Sequence, residues 1–153
     1  MLFPIKKQYL KFVSNIEYYL SKDLEFISDP DYNCPVAILD DVKLVFNHYK
    51  SVEEANHKWN QRKLRVNYNN IFIIFDDISD AEYSDLLEFN KIECKGKVIL
   101  TSKNYDLPNT IQISKYKKSG IMKPYLMDKN IWTGKTPADY DFDFVKWLNC
   151  GHI

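Results

Sequence analysis

The run Ile-Phe-Ile-Ile-Phe at residues 71–75, followed by Asp76 and Asp77, decides the fold class of this chain. Its apolar residues do not alternate with polar ones, which is the form expected of a strand buried on both faces. A capping-box pattern at Ser51 and Glu54 predicts a helix before it, over residues 51–66. A second helix, opened by Ser79 with Glu82 and running to about residue 90, and a strand at 97–101 follow it. This order favours parallel strands with right-handed crossovers.

The remaining elements extend this core in both directions along the chain. Asp40 and Asp41 separate two apolar runs and predict a tight turn between adjacent strands. Residues 115–138 have no clear period and are long for a loop. The further elements predicted are helices at 7–21 and 139–149, an extended segment at 24–27, and strands at 36–39, 42–46 and 110–113. Together they predict one three-layer α/β domain over residues 1–153, with a mostly parallel sheet flanked by helices, a β-hairpin and a long irregular C-terminal loop.

Composition narrows the class of protein. The 153 residues include 21 basic and 21 acidic side chains, so the net charge is zero, and no apolar run approaches the length of a membrane span. This balance disfavours nucleic acid or an anionic membrane as a partner. Three cysteines, Cys34, Cys94 and Cys150, are too few and too scattered for a disulfide framework or a cysteine zinc site. We therefore predict a cytoplasmic protein with no metal site.

Two arginines, Arg62 and Arg65, stand out because every other basic residue is lysine. On the helix predicted at 51–66, Arg62 shares a stripe with Trp59 and Val66, so we expect it to face the core. There its guanidinium must find a carboxylate, backbone carbonyls or a ligand anion, and we favour pairing with a carboxylate. Arg65 is nearer the edge of that face. Arg62 lies about 16 Å along the helix from its capped end, which favours a structural role over a ligand-binding one, although both interpretations remain open.

Candidate functional residues follow the predicted strands, because ligands of parallel sheets bind outside the carboxyl ends of the strands. His48 and Asp77 are the candidates for catalysis, with His48 as a general base. The candidates for substrate binding are Tyr49, Lys50, Arg62, Arg65, Asp76, Thr101 and Ser102. The alternative is that these polar residues end strands because loops are solvated, and that His48 is structural. The chain has only four glycines and no glycine-rich phosphate loop, which disfavours nucleotide hydrolysis and dinucleotide binding.

Several stretches together resemble the signature of a bacterial family of unknown function, DUF1919, whose members are often described as exopolysaccharide biosynthesis proteins. They are Cys34-Pro35-Val36 through Leu39-Asp40-Asp41-Val42, His48-Tyr49-Lys50-Ser51, Glu53-Glu54-Ala55, Lys58-Trp59, Arg62, Arg65, Asn67, Asn70-Ile71-Phe72, and residues 142–149. The resemblance covers nearly the whole chain. It implies an α/β fold and a gene that lies among genes for surface-polysaccharide biosynthesis.

The resemblance also shows one departure. Members usually begin with a further strand and an Asn-Asn-Cys loop, similar to the loop of polysaccharide acetyltransferase-like proteins that bind coenzyme A, whereas this chain begins at Met1 just before its first helix. We expect a relative that has lost activity, or one whose sheet edge is covered by a partner chain or a second copy.

Two functional hypotheses follow from the resemblance. In the first, the protein transfers an acyl or related group to a sugar, with a coenzyme A thioester as the possible donor and residues 115–135 as a lid or substrate-binding loop. In the second, it is a noncatalytic binding or assembly module. In that module the same residues serve packing, whereas the first hypothesis predicts a small-molecule or saccharide substrate.

Overall fold

The strands of the chain form two three-stranded sheets in the computed structural model, which describes residues 3, 6–77, 81–124 and 128–152. The chain divides into a first unit, residues 1–68, and a second unit, residues 69–153. Each unit holds one sheet together with helices. The predicted α/β class is therefore confirmed, while the expectation of one domain over residues 1–153 stays a prediction.

The first unit contains an antiparallel sheet and three helices. In chain order its elements are α1 (Lys6–Ser14), α2 (Ile16–Ser21), β1 (Glu25–Ile27), β2 (Val36–Leu39), β3 (Val42–Val45) and α3 (Val52–Lys63). The helix expected at 7–21 is broken at Asn15, whose φ of −144° is not helical. The strand order is β1-β2-β3, and the predicted hairpin turn lies between β2 and β3, with Asp40 in the left-handed region at φ 58°.

A carboxylate in the hairpin turn holds the first helices of this unit. Asp41 accepts a hydrogen bond from Tyr19 Oη at 2.9 Å and pairs with Lys11. The Lys11 ammonium, followed by the Tyr19 hydroxyl, lowers the pKa of Asp41 below its usual value. Burial of the Tyr19 ring, reinforced by the Asp41 carboxylate, raises the pKa of Tyr19 to about 12.

The second unit contains a parallel sheet. Its elements are β4 (Phe72–Asp76), α4 (Tyr83–Lys91), β5 (Gly96–Thr101), β6 (Thr110–Gln112), α5 (Ala138–Asp141) and α6 (Phe144–Cys150). The strand order is β4-β5-β6. Helix α4 begins after Glu82, whose backbone N–H donates to the Asp85 carboxylate at 2.8 Å. The predicted capping residue Ser79 lies outside the described residues.

The division into two sheets differs from the single, mostly parallel sheet of the sequence prediction. Strands β2 and β3 are joined by a two-residue turn, a connection that only antiparallel strands can share. The parallel pairing is confined to β4, β5 and β6, of which β4 and β5 are separated by a helix. The sheets have edge strands β1 and β3 in the first unit and β4 and β6 in the second.

Candidate functional site

His48 and its neighbours lie in the turn that leads from β3 to α3. Phe46 is buried directly after the strand, and the N–H of Tyr49 donates to its carbonyl at 3.0 Å, which closes the turn. His48 and Lys50 are exposed, Tyr49 is half-buried, and His48 makes no hydrogen bond within the described chain. Ser51 caps α3 as predicted, because its side chain accepts a hydrogen bond from the N–H of Glu54 at 3.2 Å.

The prediction that Arg62 faces the core and pairs with a carboxylate is wrong. Its side chain is exposed, and its guanidinium carbon lies 5.9 Å from the centre of the Tyr49 ring. Arg62 forms no ion pair with any residue that the structure describes. The physical reason is that an arginine on an apolar stripe can lay its aliphatic stem along the stripe and extend its charged end into water. Arg65 is exposed as well.

The stripe on α3 borders a cavity of about 240 Å³, which we call the aromatic cavity. It is lined by Phe12, Ile16, Leu20, Phe46, Tyr49, Trp59, Arg62, Lys63 and Val66. All of these residues belong to the first unit. Two residues predicted to bind substrate, Tyr49 and Arg62, therefore line one cavity, whereas Lys50, Arg65 and His48 do not line it.

In the second unit, Asp77 and Thr101 meet at the carboxyl ends of two neighbouring strands. The register pairs Asp76 with Leu100, so the next residues along each strand, Asp77 and Thr101, lie side by side. Both are buried, and Thr101 Oγ1 donates to Asp77 Oδ2 at 2.5 Å. Thr101 Oγ1 also accepts from the backbone N–H of Lys103 at 2.9 Å. The bond between Thr101 and Asp77 joins the ends of β4 and β5, which is a structural role for Asp77.

The neighbouring candidates contribute to the same end of the sheet. Ser102 is buried, and its backbone carbonyl accepts a hydrogen bond from Gln112 Nε2 at 3.1 Å, which links β5 to β6. Asp76 is half-buried at the end of β4. The four candidates of the second unit, Asp76, Asp77, Thr101 and Ser102, therefore lie at one end of the parallel sheet, as the predicted strand order implied.

The irregular segment 115–138 forms a cleft of about 270 Å³, which we call the lysine cleft. Its lining residues are Ser114, Lys115, Asp128, Lys129, Asn130, Lys135, Pro137, Tyr140 and Asp141. Three of the six lysines of the segment, Lys115, Lys129 and Lys135, are among them. No other signal in the sequence points to Tyr140 or Asp141.

The two carboxylates of the lysine cleft are held by protein groups. Asp128 accepts hydrogen bonds from Lys115 Nζ at 2.6 Å and from the buried Tyr116 hydroxyl at 2.5 Å. Both bonds lower the pKa of Asp128, and the bond from Lys115 has the larger effect. Burial raises the pKa of Tyr116, and Asp128 adds to the effect. Asp141 accepts from the backbone N–H and the hydroxyl of Ser114 at 2.8 and 2.6 Å.

The other two lysines of the lysine cleft have no carboxylate partner among the described residues. Lys135 Nζ lies 5.4 Å from the centre of the Tyr140 ring, and that ring is 65% exposed. Lys135 and Tyr140 also line a neighbouring depression of about 600 Å³ that extends toward the start of α6. The lysine cleft therefore combines two ammonium groups that form no ion pair within the described residues with an exposed aromatic face.

The described residues contain neither a clustered metal site nor a membrane-spanning helix. No group of three or more histidine, cysteine, aspartate or glutamate side chains is arranged to hold a metal ion there. Within the same residues, no helix has both the length and the apolar character needed to cross a lipid bilayer.

Comparison with known proteins identifies the chain's relatives. The family described as "Domain of unknown function (DUF1919)" matches residues 1–149. A Haemophilus influenzae protein with the description "Uncharacterized protein" is 32% identical over 149 residues, which cover 97% of this chain and 71% of that protein. The family match spans the first unit, the aromatic cavity and nearly all of the second unit.

Proposed function

Starting from the fact that this chain belongs to the DUF1919 family, we propose that it binds an anionic saccharide in the biosynthesis of surface polysaccharides. The ligand is a sugar that bears a phosphate or carboxylate group. The lysine cleft is the binding site. The observation that carries the proposal is that Lys129 and Lys135, which lack carboxylate partners in the described chain, line the same cleft as the exposed Tyr140 ring.

The chemistry of the lysine cleft suits such a ligand. An exposed tyrosine ring offers a flat apolar surface on which the C–H face of a pyranose ring packs, and its hydroxyl remains available for a hydrogen bond. Two ammonium groups attract a phosphate or carboxylate. The carboxylates of Asp128 and Asp141 are already bonded to protein groups, which reduces their repulsion of an anion.

The size of the lysine cleft also suits one sugar residue. A cavity of roughly 150 Å³ holds benzene, so the cleft of about 270 Å³ has room for about eleven non-hydrogen atoms, close to one hexose. The neighbouring depression, which shares Lys135 and Tyr140, offers space for the next residue of an oligosaccharide. Trp132, 95% exposed and two residues beyond Asn130 of the cleft, supplies a further aromatic surface.

A thermal-shift experiment tests this proposal. Glucuronate and glucose 1-phosphate are titrated against the protein, with glucose as the neutral control. We expect the two anionic sugars to raise the melting temperature more than glucose does. The Lys129→Gln/Lys135→Gln variant should lose this difference, whereas Lys117→Gln/Lys118→Gln, which removes two exposed lysines that do not line the cleft, should retain it. Equal shifts for all three sugars would refute the proposal.

Transfer of an acyl group to a saccharide is a second candidate function, favoured by the exposure of His48 and by the absence of any hydrogen bond to its ring within the described chain. In this reaction a sugar hydroxyl oxygen forms an ester bond with the acyl carbon of a thioester and the carbon–sulfur bond breaks. The hydroxyl proton passes to the His48 ring and from there to the departing thiolate. Lys50 precedes α3, Arg62 lies in its last turn and Arg65 follows its end, so Lys50 is a helix length away from the two arginines and the three do not form one phosphate site for coenzyme A.

Release of free thiol from acetyl-coenzyme A in the presence of a saccharide measures this reaction. His48→Gln should abolish the release, and His57→Gln, which changes an exposed histidine on α3, should not. If the unaltered protein releases no thiol, the noncatalytic binding or assembly module is the remaining function. We place either activity in the cytoplasm, a proposal supported by the three cysteines of the described chain, none of which forms a disulfide.

A further inference from the structure

The aromatic cavity in the first unit has the features of a second ligand site. Its interior is built by side chains from α1, α2 and α3 and by the residues that follow β3. The Trp59 ring lies edge-on to Phe46, with centroids 6.3 Å apart at 85°, and 6.5 Å from the Phe12 ring. These walls favour an apolar ligand group, because burying it removes its surface from water.

One buried polar atom in the cavity wall lacks a partner. Trp59 is only 9% exposed, and its indole N–H has no acceptor among the described residues. An unsatisfied buried donor costs about 1–3 kcal/mol. Because the indole nitrogen has almost no accessible surface, a ligand group beside Trp59 meets the ring rather than the N–H.

The two cations that line the cavity differ in how they are bound. Lys63 Nζ is 3.6 Å from Asp23 Oδ1 and 3.5 Å from the carbonyl oxygen of Lys22, so its charge is already compensated. Arg62 has no carboxylate partner in the described part of the chain, and its guanidinium carbon lies 5.9 Å from the centre of the Tyr49 ring. A guanidinium in this state is the residue best suited to bind a planar carboxylate or a phosphate.

We propose that the aromatic cavity binds an amphipathic anion, with its apolar group among the aromatic rings and its carboxylate or phosphate at Arg62. The size of that ligand follows from the cavity. Its volume of about 240 Å³, compared with roughly 150 Å³ for a cavity that holds benzene, accommodates about ten non-hydrogen atoms. Octanoate has this size. The proposal does not rest on the proposed function, because the lysine cleft lies in the other unit and shares no residue with this cavity.

Calorimetric titration of the full chain with four ligands of one chain length tests the proposal. Octanoate and octyl phosphate carry the anionic group, octanol is neutral and octylammonium is cationic, all used below their micelle-forming concentrations. We expect saturable binding of one molecule per chain, with the anions bound about tenfold more tightly than octanol. The tighter of the two anions identifies the head group.

The two arginines of the chain provide a matched pair of variants. Arg62→Gln should weaken octanoate binding about tenfold and leave octanol binding unchanged, whereas Arg65→Gln removes an exposed arginine outside the cavity and should change neither by more than about twofold. The proposal is overturned if no ligand binds saturably, if octylammonium binds as tightly as octanoate, or if Arg62→Gln and Arg65→Gln behave alike.

Discussion

Replacing Thr101 with valine tests whether Asp77 is a structural residue. The side chain of Thr101 is fully buried, and it donates to the Asp77 carboxylate at 2.5 Å while it accepts from the N–H of Lys103 at 2.9 Å. The valine side chain has nearly the same shape but neither donates nor accepts a hydrogen bond. Thr101→Val therefore removes both bonds without creating a cavity.

The size of the effect follows from the two bonds. A hydrogen bond to a charged group contributes about 1.5–3 kcal/mol and a neutral one about 0.5–1.5 kcal/mol. We expect Thr101→Val to lower the free energy of unfolding by about 2–4 kcal/mol. Urea denaturation followed by circular dichroism measures this change.

Thr110→Val is the matched control for that experiment. Thr110 is half-buried on the edge strand β6, and its hydroxyl makes only a long bond of 3.4 Å to the carbonyl of Pro108. Its replacement should change the free energy of unfolding by less than about 0.5 kcal/mol. If Thr101→Val is as mild as this control, Thr101 does not hold the Asp77 carboxylate, and the structural assignment of Asp77 is wrong.

Two further predictions concern a titration and a backbone conformation. Because the pKa of Tyr19 is raised from 10.0 to about 12, the folded chain holds the hydroxyl proton of Tyr19 more tightly than the unfolded chain does. The free energy of unfolding should therefore be unaffected below about pH 10 and fall as the pH rises toward 12. Tyr19→Phe should lose this alkaline component and Tyr18→Phe should keep it, as measured by urea denaturation across that pH range; identical profiles would contradict the assignment. Gly151→Ala should lower the free energy of unfolding by about 2–4 kcal/mol, because the residue has φ 82° and an added Cβ would lie 2.5 Å from the carbonyl oxygen of Lys95. Gly120→Ala, at φ 65° with open space around it, should cost only about 1–2 kcal/mol, so equal losses would show that the Lys95 contact is absent.

The elements that the sequence predicted well are those with a local physical cause. The capping residue Ser51 starts α3 where expected, since the cap depends on only four consecutive residues. The apolar runs on either side of Asp40 and Asp41 pair as a hairpin because their connection is too short for anything else. The proximity of Asp77 and Thr101 also follows from sequence, since both end parallel strands in register.

The features that sequence reasoning missed depend on packing. A helical stripe fixes where the Cβ of Arg62 points, but the long side chain decides where its charge lies, and here the charge reaches solvent. The residues that line the lysine cleft show no helical or strand period in the sequence. They are held by turns and by side-chain hydrogen bonds, such as those between Asp141 and Ser114, which lie 27 residues apart. Unlike the pairing of Asp77 with Thr101, these contacts do not follow from strand order, so the sequence did not predict them.

Calorimetric titration of an oligogalacturonate into the unaltered chain and into the Lys129→Gln/Lys135→Gln variant tests the central claim most directly. Two ammonium–anion contacts of about 1 kcal/mol each predict a dissociation constant about thirtyfold higher in the variant. The Lys117→Gln/Lys118→Gln variant, which carries the same net charge, should bind like the unaltered chain. A dissociation constant that is the same in all three proteins would contradict the assignment of the lysine cleft as a site for anionic saccharides.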